Sequence, residues 1–359
     1  MPMKGLLLAG GYGTRLRPLT FTGNKHMIPI ANQPMLFHGL RHLAAGGIRE
    51  VAIVLGPLHE GIPEAVRDGS EFDLEVTYIH QGEPKGLAHA VLCAKDFLGD
   101  DPFVMYLGDN LLQEGVRPLI ERYHQSPLDA VIGATPVQHP SSYGVVELDG
   151  DRIVSIAEKP RNPKSNLALI GVYLFTPKIH PVIADLKPSA RGELEITEAI
   201  WNLHERGGRI AVRRVDGWWK DTGRPEDLLE ANQRVLYGMP PGSFAIDGHV
   251  ATGARLMGPV SIGAGSTIGP DVQIDGPAVI GSDVRIDGSS HVGPGTAIGN
   301  RVAVHQTSIQ RTIVMESAQI EGPFHLVDSI VGRFARIRAN QDRGLRLSCV
   351  LGDSTQLDF

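Results

Sequence analysis

Apolar positions follow two different rhythms along this chain, and the rhythm changes near residue 240. Before that point, short apolar runs of strand length alternate with segments whose apolar residues recur at helical spacing. Residues 5–9, 51–55, 76–80 and 103–107 predict strands, and residues 33–45, 86–97 and 116–124 predict helices between them. Further strands are expected at 130–135, 144–148, 153–157 and 169–175, with closing helices at 195–205 and 225–236. Strand–helix alternation of this kind implies an α/β domain with helices on both faces of a largely parallel sheet. After the Pro- and Gly-rich segment 237–242 the period becomes six. Ile262, Ile268, Ile274, Ile280, Ile286, Val292, Ile298 and Val304 keep that spacing without a slip, and Gly263, Gly269, Gly281, Gly293 and Gly299 follow five of them. Val314, Ile320 and Leu326 resume the spacing after a phase shift, and Val331 and Ile337 share a second register. A fixed aliphatic every six residues predicts a hexapeptide β-helix, its aliphatics pointing inward and its glycines expected at corners that need positive φ. Two domains are therefore expected, 1–238 and 239–359.

Composition narrows the class. Glycine accounts for 43 of 359 residues, against roughly 25 at average usage, and the excess concentrates in the periodic region. Lys and Arg number 34 and Asp and Glu 40, a net charge of −6, so nucleic acid is not expected as the main partner. No apolar run reaches the length of a membrane span. The N-terminus has no basic region followed by a cleavage site, so a cytoplasmic enzyme is expected. Two cysteines, Cys93 and Cys349, exclude a disulfide framework and a cysteine-based zinc site.

Candidate chemistry begins where the first strand ends, at Gly10-Gly11-Tyr12-Gly13-Thr14-Arg15-Leu16-Arg17-Pro18. A glycine-rich turn at this place suits phosphate, because backbone N–H groups can approach anionic oxygens. It is not a Walker loop, which would end in Gly-Lys-Ser/Thr. Nor is it the dinucleotide fingerprint, whose third glycine would stand where Leu16 does. With Lys25 following in Asn24-Lys25-His26, the segment resembles the signature of the sugar-1-phosphate nucleotidylyltransferases. Lys187-Pro188-Ser189-Ala190-Arg191-Gly192-Glu193-Leu194-Glu195-Ile196-Thr197 and Trp219-Lys220-Asp221-Thr222-Gly223 are similar to hallmarks of the glucose-1-phosphate thymidylyltransferases. The C-terminal repeats match the long form of that family, which carries a left-handed β-helix.

The resemblance implies a Rossmann-like nucleotidyltransferase domain with a mixed central sheet. It implies Mg²⁺-dependent transfer of a nucleotidyl group from dTTP to glucose 1-phosphate, feeding deoxysugar biosynthesis. Because the attacking phosphate oxygen is already anionic, no general base is required, and the work is positioning and charge neutralisation. Gly10, Gly11, Gly13, Thr14 and Arg15 are implied to hold the nucleotide, with Arg15 and Lys25 as the catalytic cations. Gln81 and Gly86 are implied to read the pyrimidine edge, and an amide can match an imide because it carries both a donor and an acceptor. Asp109 and Asp221 are implied to hold Mg²⁺, which usually takes one or two protein carboxylates. Leu107, Tyr143, Gly144, Glu158, Lys159, Tyr173, Arg191 and Trp219 are implied for the sugar phosphate. His26 stands where relatives often carry Gln, so a contact made by that Gln is not carried over to this chain, and Asn24, where they often carry Pro, implies a slightly different turn.

Three alternatives remain open at this point. UTP could serve in place of dTTP, since the two bases differ by one methyl. A non-catalytic regulatory homologue would lack Arg15, Lys25 or the carboxylates, all of which are present. A C-terminal acetyltransferase would need a histidine base, for which His291, His305 and His325 are candidates. The β-helix is otherwise expected to support a homo-oligomer, with a trimer favoured.

Overall fold

The computed structural model describes residues 2–340 and 344–359. The chain divides into two compact units. The first comprises residues up to Tyr12 and Leu36–Asp221, the second Gly13–Met35 and Thr222–Phe359. The sequence boundary expected near 239 separates two kinds of repeat pattern. The packing boundary is different, because the segments 13–35 and 222–238 pack with the β-helix residues.

The first unit is built on a mixed sheet, nine-stranded among the described residues. Its strands are β1 (Lys4–Ala9), β2 (Glu50–Leu55), β3 (Glu75–His80), β4 (Phe103–Leu107), β5 (Ala130–Pro136), β6 (Gly144–Asp149), β7 (Arg152–Glu158), β8 (Leu167–Phe175) and β9 (Ile210–Arg214). They run in the order β7-β6-β8-β4-β1-β2-β3, and β5 pairs with both β8 and β9. β1 is parallel to β2 and β4, and β2 to β3, so the turns after Ala9, Leu55, His80 and Leu107 open at one end of the sheet. That end is where open α/β sheets take ligands. β8 runs antiparallel to β4 and β5, so the sheet is mixed, as the family resemblance implies, and departs from the largely parallel sheet that alternation alone predicts. All nine residues of β8 are buried, as expected of a strand covered on both faces.

Two helix predictions need correction. Helix α1 is Met35–Ala45, because Gln33–Pro34 instead pairs with Pro29–Ile30 in a tight hairpin. The segment 86–97 forms α2 (Leu87–Cys93) and then a separate short turn of helix, Lys95–Leu98, broken at Ala94.

In the second unit, short strands stack in parallel coils as a left-handed β-helix. Val260 pairs with Ala278 and Ala278 with Thr296, a return every 18 residues. The periodic aliphatics line its core: Ile262, Ile274, Ile286, Val292 and Ile298 are fully buried. The phase shift after Val304 comes from shorter sides. Ala303–Gln310 continues through the corner as one strand, with Gln306 at φ 53°, and buried Ile309 fills the inward position between Val304 and Val314. The glycines after the aliphatics are not explained by positive φ; many corners use Asp283, Arg301, Ser317 and other non-glycine residues instead. Gly263 and Gly281 are required because adjacent coils approach closely. A Cβ on Gly263 would lie 2.7 Å from the Gly281 backbone, and one on Gly281 would lie 2.8 Å from Asn300 N.

The segment 13–35 is seated on this unit by polar contacts. Ala31 and Asn32 form the hairpin turn at φ 50° and 62°, the twist that suits a two-residue loop. The amide of Asn232, in α3 (Pro225–Gly238), is fully buried; its Oδ1 accepts from Ala31 N at 2.8 Å and its Nδ2 donates to Gly295 O at 3.0 Å. Asn32 Nδ2 donates to Ile298 O at 2.6 Å and Val279 O at 3.3 Å. Thr22 Oγ1 donates to Asp353 Oδ2 at 2.7 Å, while Asp353 Oδ1 accepts from Arg333 N at 2.8 Å.

Candidate active site

The first unit contains Gly10, Gly11, Gln81, Gly86, Leu107, Asp109, Tyr143, Gly144, Glu158, Lys159, Tyr173, Arg191, Trp219 and Asp221. The second contains Gly13, Thr14, Arg15 and Lys25. The first-unit residues fall into three groups.

One group lies around the turns after β1, β2 and β3. A Cβ on Gly56 would be 2.9 Å from Gly10 Cα and 3.1 Å from Gly11 N, so two bare backbones meet there. Gln81 is buried beside them, and its Nε2 donates to Gly86 O at 3.0 Å. Gly86, the cap of α2, has φ 104° and ψ 170°, a region open essentially only to glycine. A Cβ on Gly86 would sit 2.5 Å from Leu194 O. Gly56 carries no sequence signal of its own, and Leu194, within the hallmark segment 187–197, is brought to this turn only by the fold.

A second group surrounds the turn after β4. Gly108 N donates to Leu8 O at 2.9 Å, which ties the turn to β1. Asn110–Leu112 then pairs antiparallel with Trp219–Asp221, and Asp221 stands opposite Asn110. Asp109 and Asp221, far apart in sequence, are thereby brought to neighbouring positions. Buried Asn110 holds the ribbon: its Nδ2 donates to Asp109 Oδ1 at 3.1 Å and its Oδ1 accepts from Trp219 Nε1 at 2.7 Å. The indole N–H also reaches Ile170 O at 3.0 Å, and the ring meets Tyr143 edge-on at 5.3 Å. Gly171, at φ 74°, lets Leu107 pack close, since its Cβ would lie 2.6 Å from Leu107 Cδ1. Asn110 and Gly171 were not singled out from the sequence.

The third group is charged. Arg191 Nη2 donates to Glu195 Oε2 at 2.7 Å and to Glu158 Oε1 at 3.2 Å. Thr197 Oγ1 donates to Glu158 Oε2 at 3.2 Å, and Lys159 Nζ lies 3.6 Å from Glu158 Oε1. Burial raises the Glu158 pKa above the ordinary carboxylate value, against the opposing pull of Lys159, with the Glu195 charge raising it further. The Arg191 pKa is raised chiefly by its hydrogen bond to Glu195. Gly144 is packed tightly here, its Cβ position 2.6 Å from Thr197 Cγ2. Tyr173 lies within the apolar core, 3 % exposed, with its ring stacked on Phe175; burial and then the Glu158 charge push its phenol pKa up.

In the second unit, Gly13 adopts φ 58°, and its carbonyl accepts from Leu16 N at 2.9 Å and Thr20 Oγ1 at 2.8 Å. These bonds shape the turn Thr14–Leu16 that presents Arg15. The Arg15 guanidinium packs over Gly223, whose Cβ would be 2.5 Å from Nη2. His26 is almost fully buried. Asn24 Oδ1 accepts from His26 N at 2.8 Å and lies 2.7 Å from its Nδ1. Because Oδ1 is the acceptor for the backbone N–H, Nδ1 must carry the ring proton. The Asn24–His26 pair is thus part of the architecture of the Lys25 turn.

The histidines of the β-helix wall are paired with carboxylates or strand neighbours. His291 Nε2 lies 2.7 Å from Asp275 Oδ2, His305 Nδ1 bonds to Asp287, and His325 sits in register between Ser308 and Arg346. No group of three or more metal-binding side chains occurs among the described residues, and no helix there is long and apolar enough to cross a membrane.

Comparison with known proteins gives consistent matches. The family model described as nucleotidyl transferase matches residues 4–237. A glucose-1-phosphate thymidylyltransferase of Streptomyces antibioticus is 42% identical, the match covering 99% of each chain. A low-salt glycan biosynthesis nucleotidyltransferase of Haloferax volcanii is 45% identical over the same shares. Among solved structures, a UDP-glucose pyrophosphorylase complexed with UDP-glucose is 27% identical with a TM-score of 0.60, covering 67% of this chain and 100% of that one.

Proposed function

We infer the reaction from one premise: the chain belongs to the nucleotidyl transferase family. It is an enzyme of the sugar-1-phosphate nucleotidylyltransferase type, and its reaction is dTTP plus α-D-glucose 1-phosphate to dTDP-glucose and diphosphate. A phosphate oxygen of the sugar attacks the α-phosphorus in line. That P–O bond forms as the bond from the α-phosphorus to the bridging oxygen breaks, and diphosphate leaves with the electron pair. The single observation that carries the reading is the ribbon that sets Asp221 opposite Asn110, next to Asp109, at the ligand end of the parallel strands.

Two carboxylates at neighbouring positions are hard oxygen donors of the kind Mg²⁺ accepts, with the triphosphate and water completing its shell. The family uses a divalent metal, and Asp109 and Asp221 would hold Mg²⁺ here; when bound, it would neutralise phosphate charge. Arg15 stabilises the charge that develops on the leaving diphosphate, and Lys25 does the same at the α-phosphate. The bare backbones of Gly10 and Gly11, with Gly13 and Thr14, receive phosphate oxygens. Gln81 and Gly86 receive the base. Lys159 neutralises the sugar phosphate, and Glu158, oriented by Arg191 and Thr197, accepts from sugar hydroxyls. Tyr143, Gly144 and Trp219 wall the sugar pocket, Leu107 floors it, and Tyr173 supports it from the core. The product suits deoxysugar biosynthesis; the enzyme is read as cytoplasmic, and its β-helix as the element through which a homo-oligomer, a trimer, assembles.

A second reading, use of UTP, is favoured by the solved relative with bound UDP-glucose, and one methyl is worth only about 1–3 kcal/mol in a pocket. A matrix of dTTP and UTP against glucose, galactose and glucosamine 1-phosphates, read by diphosphate release, tests both. Arg15→Ala and Asp109→Asn should each cut turnover at least ~100-fold with the fold intact. Near-normal turnover in either variant would overturn the assignment. Release of CoA from acetyl-CoA with glucosamine 1-phosphate, above the background of a His305→Ala and His325→Ala variant, would instead reveal an activity of the β-helix.

A further inference from the structure

The amide of Gln81 has a determined orientation. Its terminal atom 3.0 Å from Gly86 O must be the nitrogen, because a carbonyl only accepts. The same Nε2 lies 3.2 Å from His89 Nδ1, on α2. That ring nitrogen can receive the second amide hydrogen only if it is unprotonated, which puts the ring proton on Nε2. The surroundings favour this neutral tautomer: burial lowers the His89 pKa, and the Lys85 charge lowers it further. Cys93 Sγ, one helical turn along, lies 3.8–3.9 Å from both ring nitrogens, and burial raises its pKa so that it stays a neutral thiol. No anion therefore draws a second proton onto the ring from that side. With both amide hydrogens engaged, the side of Gln81 left for a ligand is Oε1. It faces the first glycine-rich turn, 3.1 Å from where a Cβ on Gly10 would stand.

We propose that His89 is a positioning residue that locks the Gln81 amide with its oxygen toward the nucleotide, so that the chain selects bases presenting an N–H donor. The inference rests on the reading of residues 81–86 as the base-binding loop. Uracil and thymine offer a ring N3–H to such an acceptor. Cytosine places an acceptor at N3, so the two lone pairs face each other and the complex loses a hydrogen bond. Leu or Ala at position 89 would free one amide hydrogen and leave Gly86 O as the single anchor of the orientation, so that a base of opposite polarity can turn the amide over at the cost of that one hydrogen bond. Discrimination among pyrimidine triphosphates is thus assigned to a residue that need not touch the nucleotide.

The test uses the full-length enzyme with glucose 1-phosphate and compares kcat/KM for dTTP and CTP. His89→Leu is expected to lower the dTTP:CTP ratio about tenfold, the size of one hydrogen bond mispaired. A purely structural role would lower both values together and leave the ratio alone. His89→Asn should restore the ratio, since Asn Oδ1 can take the place of the ring Nδ1 as acceptor. Where the Leu variant does not fold, His89→Lys, which offers only donors, takes its place and should lose the ratio. A ratio within twofold of the parent in His89→Leu or His89→Lys, combined with a collapsed ratio in Gln81→Leu, overturns the role of His89 alone. Unchanged ratios in both the His89 and Gln81 variants overturn the base-binding reading of the loop as well.

Discussion

Gly223 gives the most discriminating check on Arg15. A Cβ at this position would lie 2.5 Å from Nη2 and 3.0 Å from Cζ of Arg15. Ordinary contacts of this kind lie near 3.5 Å, so the guanidinium of a Gly223→Ala variant must retreat by about 1 Å. A displacement of that size at a reacting centre is worth up to roughly 100-fold in rate, about 2.7 kcal/mol of transition-state stabilisation. The backbone of Gly223 has no positive φ, so alanine fits the local conformation. The clashing atom is the far end of a flexible side chain, and the restricted unfolded chain offsets the crowding by about 0.4–1 kcal/mol. The expected outcome is therefore a split: kcat falls 30- to 100-fold, on the order set by the displacement, while the thermal midpoint stays in place. Diphosphate release under saturating substrates and a thermal melt measure the two quantities. A kcat within twofold of the parent would refute the view that the guanidinium position over Gly223 matters to the chemistry. A fall in kcat matched by a lowered midpoint would attribute the loss to unfolding instead.

Two further outcomes follow from buried polar groups. Asn232→Leu leaves Ala31 N and Gly295 O without their partner, and unmet buried groups cost about 1–3 kcal/mol each. Urea unfolding should show at least about 2 kcal/mol lost; a midpoint unchanged from the parent would refute the seating role of this amide. Glu158 has its pKa raised, mainly by burial, so its ionised acceptor is lost, as pH falls, at a higher pH than for an ordinary carboxylate. KM for the sugar phosphate should rise on that acid limb, and Glu158→Gln should remove the carboxyl's share of it. The folded state also binds more protons than the unfolded chain between the ordinary and the raised value, so stability contributed by this group falls as pH rises through that window. A Glu158→Gln profile superimposable on the parent would refute both statements.

The sequence was most legible where its signal is local or periodic. The aliphatic register of Ile262 to Val304 survives intact as the β-helix core because each coil repeats the same environment. The family was legible in the segment from Gly10 to Arg15 because a single short stretch carries its signature. Ile309 was missed because a shortened side breaks the count of six without breaking the core. The reason for Gly263 and Gly281 was also missed. Their need comes from the next coil, some eighteen residues away, and not from their own φ. Asn110, Gly56 and His89 left no trace in the sequence. Each acquires its role only when folding brings a partner to it: Trp219 for Asn110 and Gly10 for Gly56 from distant strands, and Gln81 for His89 across the turn that leads from β3 into α2.

The seated segment 13–35 touches the solenoid at two different heights. Asn32 bonds at the level of Val279 and Ile298, and Thr22 at Asp353, just past the strand Val350–Leu351. Along the wall that holds both, the strands Ala278–Ile280 and Val350–Leu351 are separated by four steps, about 19 Å at the spacing of neighbouring strands. The solenoid therefore works as a ruler laid under the loop that carries Arg15 and Lys25. Inserting or deleting one coil between the two marks would shift one of them by about 4.8 Å, more than a hydrogen bond can span. Coil number between these marks is thus not free to drift as it is in an isolated repeat protein. Coils before Val279 lie outside the two marks and can be added or lost without changing the distance between them.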